Sequence, residues 1–225
     1  MAQKELDQEV VFCSDENPDQ RPHQGSDQRL YQVLPPPDES SSREDFLQYS
    51  TEITLDPNSV HTQVLLSDGN RVTFRREHQS YPDHPDRFSD REQVLSIESL
   101  EGRCYWEVEW SGMWGVSTAV SYREIQRKGD SDECGFGYND KSWALYSDET
   151  SYSFLFNKAE FEFSGSVGSR IGVYLDHSAG VLEFYSVSGG TVRLLHRVQT
   201  RFTQPLYAGV GLYCYGDTAH FPKLK

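Results

Sequence analysis

The sequence contains no run of eighteen apolar residues, so hydropathy offers no membrane-spanning helix. Its first twenty residues, MAQKELDQEVVFCSDENPDQ, hold no apolar h-region, so no secretory signal is expected and the chain is expected to be cytoplasmic. Cysteine is scarce. Cys13, Cys104, Cys134 and Cys214 form no C-x-x-C pair and are expected to be reduced thiols acting as small hydrophobes. Positive charge is short too, with a net of −14 at neutral pH. That field repels a polyanion unless a basic patch overrides it. The densest basic clusters, Arg75-Arg76 and Arg123 to Lys128, are not interleaved with aromatics, so no nucleic-acid partner is expected.

Catalytic and metal-binding patterns are equally sparse. No G-x-S-x-G is present. Asp176-His177-Ser178 are adjacent in a turn and cannot converge as a relay. The loop EHQSYPDHPDRFSD holds His78 and His84, but their spacing matches no structural zinc pattern. No cofactor, metal or catalytic residue is therefore assigned. Helical periodicity is nearly missing: only Arg43–Tyr49 and Tyr122–Gln126 could hold a turn or two.

Charge and aromatic rings are what the chain does have. The first fifty residues carry four Lys/Arg against eleven Asp/Glu, a net of −7, which is half of the total. They include three consecutive prolines and three consecutive serines, and residues 1–44 are expected to be a disordered acidic tail. Within it, YQVLPPP could form a short polyproline motif around Leu30–Pro37. Aromatics make up 13% of the whole chain, so the core should be rich in rings.

From Asp45 onward, short β-branched and aromatic segments recur. They are TEITL, TQVLL, RVTFR, CYWEVEW, GVSTAVSY, SWALY, SYSFLF, RIGVYL, VLEFYSV, TVRLLHRV and PLYAGVGLYCY. Turn signals such as Ser67-Asp68-Gly69-Asn70 and Ser188-Gly189-Gly190 separate them. This spacing predicts an all-β antiparallel sandwich or barrel.

In RCYWEVEW, two-residue alternation sets Cys104, Trp106, Val108 and Trp110 on one face. Tyr105, Glu107 and Glu109 fall on the other. Two carboxylates about 7 Å apart overlap the separation of glycosidase pairs. Catalysis would need them on opposite sides of a bound ring, so they are read as the polar side of a half-buried strand.

Rings and polar groups also gather at predicted strand ends. Tyr81, His84 and Arg87 form one group, and Met113 with Trp114 another. Tyr138, Asn139, Lys141 and Trp143 follow, then Tyr152, then Tyr213 and Tyr215. Tyr, Trp, Arg and Asn are common on protein-contact surfaces. Together these residues, Met113 and Lys141 apart, are the expected partner-binding set of ten.

Four blocks in order carry a family likeness: Leu55-Asp56-Pro57, Tyr105–Trp110, Leu175–Gly180 and Phe184-Tyr185-Ser186. The chain from Asp45 to its end resembles the PRY–SPRY (B30.2) domain. REDFLQYS, YPDHPDRF, ECGFGYNDKSW and LLHRVQTRFTQPLY look most like its fish branch of tripartite-motif ligases, NACHT-containing receptors and stonustoxin-like proteins.

The resemblance implies a bent, concanavalin-like β-sandwich, with PRY at 45–96 including a short helix and SPRY at 97–225. It implies a non-catalytic module that binds a protein ligand, in innate immunity or ubiquitin-ligase targeting. The contact loops would be Arg76–Asp90, Lys141–Tyr146 with Trp143 as the matching ring, and Leu212–Asp217. The usual W-x-x-G-V block is shortened to Met113–Val116, the valine of WEVEV is Trp110, and no RING or B-box cysteines are present. Two other readings stay open: a glycan-binding domain with an aromatic floor, and part of a larger pore-forming or receptor assembly.

Overall fold

A computed structural model describes residues 41–68, 70–164 and 166–225. The chain begins with β1 (Ser41–Ser42) and α1 (Arg43–Leu47). There follow β2 (Val64–Ser67), β3 (Arg71–Phe74), β4 (Gln93–Leu95), β5 (Arg103–Ser111) and β6 (Val116–Tyr122). A 3-10 turn at Asp132–Cys134 precedes β7 (Ser142–Ser147), β8 (Ser151–Phe156) and β9 (Ala159–Ser164). The last strands are β10 (Arg170–Asp176), β11 (Val181–Ser188), β12 (Thr191–Gln199), β13 (Leu206–Leu212) and β14 (Thr218–His220).

The strands form two antiparallel sheets. One has eight strands in the order β1-β12-β11-β10-β5-β14-β3-β2, the other six in the order β4-β13-β6-β7-β8-β9. The core lies between them, and alternation decides who enters it. Cys104, Trp106, Val108 and Trp110 of β5 face inward beside Ile171, Val173 and Leu175 of β10 and Leu182 and Phe184 of β11. From the other sheet come Val116, Trp143, Leu145, Phe154 and Val210.

The β10–β11 hairpin forms where glycine accepts a left-handed backbone, whereas Asn157 and Lys158 take that conformation in the β8–β9 turn. Gly180 (φ 72°) closes the β10–β11 turn, whose Asp176 carboxylate accepts the Ala179 N–H at 2.9 Å.

Four expectations need correction. The first concerns the tail: residues 41–44, assigned to it, are part of the fold. Ser41 and Ser42 pair with Val192 and Thr191, Arg43 N–H donates to Gly190 O, and Ser42 Oγ caps α1 by accepting from Glu44 N–H. The rest of that tail, with Leu30–Pro37 and Cys13, lies outside the described residues. Second, TEITL is not a strand, although Ile53 and Leu55 are buried. Side chains hold its backbone in place of a ladder: Thr54 N–H donates to Glu98 and Leu55 N–H to Asn70, while Asn70 donates to Ile53 O. Third, Tyr122–Gln126 holds no helix, only a turn closed by Ile125 N–H on Tyr122 O.

The outward face of β5 is also not solvated as expected. Tyr105 and Glu107 are both fully buried, because α1 lies over them. Phe46 packs against Tyr105, Tyr174 and Tyr185 with ring centroids 5.3, 5.5 and 4.9 Å apart.

Arg43 grips Glu107 through Nε–H to Oε1 at 2.6 Å and Nη2–H to Oε2 at 3.1 Å. Arg170 adds a bond to Oε2 at 2.9 Å, and the Tyr105 hydroxyl donates to Oε1 at 2.9 Å. A buried carboxylate is tolerable only when so matched. Burial, followed by the Glu107 charge, pushes the Tyr105 phenol well above its ordinary value. Glu109 remains partly exposed and pairs with Arg170 and, at 3.4 Å, with His220.

Candidate interaction surface

The outer face of the six-stranded sheet carries the exposed rings. Alternation along β7 sends Trp143 and Leu145 into the core between the sheets and turns Ala144 and Tyr146 to the opposite face. There Ala144 is buried in a second cluster with Phe88, Leu95 and Phe136, and Tyr146 is half-buried. Tyr146 donates its hydroxyl to Trp114 O at 2.5 Å and meets the Tyr213 ring edge-on at 5.2 Å. Tyr213 in turn shares a 2.5 Å hydrogen bond with Ser117 Oγ of β6. Tyr215 packs on Phe74 at 4.6 Å, with the Arg76 guanidinium over its ring at 5.4 Å.

Met113, Trp114, Tyr213 and Tyr215 are 75, 51, 41 and 42% exposed, so they offer apolar area that the fold does not use.

Two features fix the loops that present them. Asp217 is buried and stitches the β5–β6 loop to the β13–β14 loop. Its Oδ1 accepts Met113 N–H at 3.1 Å and its Oδ2 accepts Cys214 N–H at 2.7 Å. Desolvation raises the Asp217 carboxyl above its usual range, against the pull of these N–H donors. Gly115, at φ 78°, lets the chain turn into β6 where a Cβ would lie 2.1 Å from Ser147 O.

Three phenols, those of Tyr146, Tyr213 and Tyr138, are pushed up from their ordinary value. Burial, then the Asp148 charge, pushes the Tyr146 hydroxyl up to about 12. Burial of its hydroxyl end also raises Tyr213, even though the ring edge is open. Half-buried Tyr138 is raised by desolvation and by Glu160, and lies close enough to add to both neighbours. Tyr146 and Tyr213 therefore present uncharged rings whose hydroxyls are already bonded within the fold, to Trp114 O and Ser117 Oγ.

The ten expected contact residues divide into three groups. Trp114 and Tyr213 are exposed and are joined through Tyr146, while Tyr215, exposed in the same loop as Tyr213, packs instead on Phe74 beneath Arg76. Tyr81, His84 and Tyr138 are half-buried. Tyr81 bonds Leu66 N–H and Val64 O through its hydroxyl, and His84 Nδ1 accepts Asp86 N–H.

Arg87, Asn139, Trp143 and Tyr152 are buried, and this corrects their reading as contacts. Arg87 donates to Pro57 O, Val60 O and Pro82 O, pinning the 76–90 loop from within. Asn139 donates to Asp132 O and Gly135 O and accepts from Lys141 N–H. Trp143 stacks on Phe156 at 5.3 Å and meets Tyr122 and Phe202 edge-on. Tyr152 accepts Gly168 N–H at 2.8 Å.

Sequence reasoning took in Tyr146 only as the end of the Lys141–Tyr146 segment and did not name it as a contact. The signal was present, since SWALY alternates and Tyr146 has the opposite parity to Trp143. Among the described residues, no three His, Cys, Asp or Glu side chains converge as a metal site.

Comparison with known proteins agrees with this geometry. Residues 53–100 match the SPRY-associated domain (PRY), and residues 103–223 match the SPRY domain. Stonustoxin subunit beta of Synanceia horrida is 36% identical over 177 residues, covering 77% of this chain and 25% of that one. Tripartite motif-containing protein 16 of Mus musculus is 34% identical over 189 residues, covering 82% of this chain and 33% of that one.

Among solved structures, stonustoxin superposes with a TM-score of 0.75 at 33% identity, covering 82% of this chain and 30% of that one. The TRIM65 PSpry domain gives 0.73 at 28% identity, covering 84% and 98%. The chain therefore spans about a quarter to a third of the length of these curated relatives.

Proposed function

This chain belongs to the PRY–SPRY family of interaction modules, and from that premise we propose a non-catalytic domain that grips a protein partner with the Trp114–Tyr146–Tyr213–Tyr215 surface. One observation carries the reading. Exposed rings from two loops are held in place by buried polar anchors, Asp217 and Ser117, that contribute nothing else to the surface. Pre-organised aromatics lose little entropy on binding and are frequent hot spots.

The biological setting we propose is innate immunity or the targeting of a ubiquitin ligase, by likeness to the tripartite-motif relative. We place the chain in the cytoplasm, where the buried thiols Cys104 and Cys134 would remain reduced.

Affinity capture with the wild-type chain beside a Trp114→Ala, Tyr213→Ala double variant tests the reading. A partner held by wild type and lost by the variant supports it. A glycan array covers the lectin alternative: a saturable sugar ligand lost in Trp114→Ala would replace the protein-partner reading.

A second reading has a specific observation behind it. The likeness to stonustoxin subunits and cytolytic toxins favours a role as one module of a larger assembly. In that case the same surface would contact another subunit, and the captured partner would be that subunit.

A further inference from the structure

An edge strand presents a row of N–H and C=O groups that something must cover. The two sheets have four edges, and three of them are closed or broken. The Tyr81 hydroxyl closes β2, accepting Leu66 N–H at 2.9 Å and donating to Val64 O at 3.1 Å. Asp56 N–H and His61 N–H donate to Leu95 O and Gln93 O and close β4. The edge at β1 is two residues long, and β12 behind it is interrupted where its register slips at Leu195.

The fourth edge, β9, is open. It pairs with β8 on one side, and on the other its backbone meets no partner among the described residues. Its six residues, AEFEFS, hold no proline and keep an unbroken register. The two-residue turn at Asn157-Lys158 makes Phe156 and Ala159 a hydrogen-bonded pair, and Phe154–Phe161 and Tyr152–Phe163 follow as bonded pairs. The N–H and C=O groups of Glu160 and Glu162 therefore point away from β8, to the open side. Both glutamate side chains share the outer face of the sheet, are exposed and make no ion pair among the described residues. Phe161, 44% exposed, faces the other way, with its ring 6.5 Å from Phe154 and 6.3 Å from His196.

We propose that β9 takes up an extended segment of a protein partner as a seventh strand of its sheet, with basic side chains opposite Glu160 and Glu162 and an apolar one against Phe161. An unpaired ladder is matched by an extended backbone, not by a helix or a compact molecule. Cross-strand neighbours share a face, so the alternation of β9 sets the alternation of the strand beside it. Charge then chooses among the candidate strands. A second copy paired antiparallel through β9 would set glutamate against glutamate on one face. The first fifty residues of this chain carry a net of −7 and are repelled as well. A segment with Lys or Arg at alternate positions is attracted. This edge shares none of the rings of the Trp114–Tyr213 surface, so it stands or falls independently of that surface.

The test titrates the full chain by calorimetry with three synthetic peptides and follows backbone amide exchange in each mixture. The peptides are Lys-Val-Arg-Val-Lys-Val, its acidic counterpart Glu-Val-Glu-Val-Glu-Val, and an isomer of the first with its basic residues contiguous. The alternating basic peptide should bind about tenfold or more tightly than either control and protect the amides of Glu160 and Glu162. N-methylating its backbone at one alternate set of residues should abolish binding, and at the other set should not. The Glu160→Lys, Glu162→Lys double variant should exchange the basic peptide for the acidic one, while Trp114→Ala should bind unchanged. No binding, equal affinity for the isomer, unprotected Glu160 and Glu162, indifference to the charge exchange, or loss in Trp114→Ala would overturn the proposal. So would a wild-type dimer with slowly exchanging β9 amides, or binding seen only after residues 1–40 are removed. Those two results would give the edge to a second copy or to the chain's own N-terminal segment.

Discussion

Glu107 shows how much one residue's environment matters. A carboxylate with no solvent exposure is stable only because Arg43, Arg170 and the Tyr105 hydroxyl all bond it. Breaking a fully buried pair on one side costs about 3–5 kcal/mol. Here Arg43 and Arg170 are partly exposed and can turn to water, so about 2–3 kcal/mol is expected. Glu107→Ala should lower the urea-unfolding free energy by about that much, and an unchanged midpoint would refute the role assigned to it.

His196 makes a second prediction at this scale. It stacks on Phe154 at 3.8 Å, with Phe161 and Phe163 nearby, and burial lowers its pKa to about 4. The sign follows directly. Below the unfolded value of about 6.5 the unfolded chain takes up a proton that the folded chain refuses, so stability falls as pH drops from about 6.5 toward 4. Roughly 2 kcal/mol should be lost between pH 7 and pH 5 from this group. Chemical denaturation at the two pH values measures it, and His196→Phe should flatten the difference.

At the scale of elements, α1 is short but consequential. Five residues bury little on their own, yet they seal the outer face of β5 and β10 and bring Arg43 to Glu107. Phe46→Ala should cost about 2 kcal/mol and raise amide exchange in β1 and β12. Unaltered exchange there would show that the helix is not coupled to the sheet.

The long strands were legible in the sequence because alternation places Trp106, Val173 and Phe184 inward without ambiguity. Short strands were not. β1, β4 and β14 have two or three residues each, and only their neighbours make them strands. Thr218–His220, for example, gains its identity from sitting between β3 and β5.

The candidate surface was legible at its exposed rings and misread where a ring and its parity were treated separately. Trp143 drew attention as a tryptophan, although its neighbours Leu145 and Ala144 fix it in the core and put Tyr146 outside. The cover over Glu107 could not be read at all, since it depends on a segment more than sixty residues away.

For the whole molecule, two sheets enclose a ring-rich core and leave the β5–β6 and β13–β14 loops side by side at one rim. Buried Asp217 bridges those loops, so the rings are offered in a fixed arrangement before any partner arrives. The most direct test is the Kd of the captured partner for wild type and for the Trp114→Ala, Tyr213→Ala double variant, with melting temperature as the control. Two anchors of this kind are each worth about 2 kcal/mol, so affinity should fall by about a thousandfold, while melting falls only by the small share that the Tyr213 contacts to Ser117 and Tyr146 contribute. An equal Kd in a variant that melts like wild type would contradict the account.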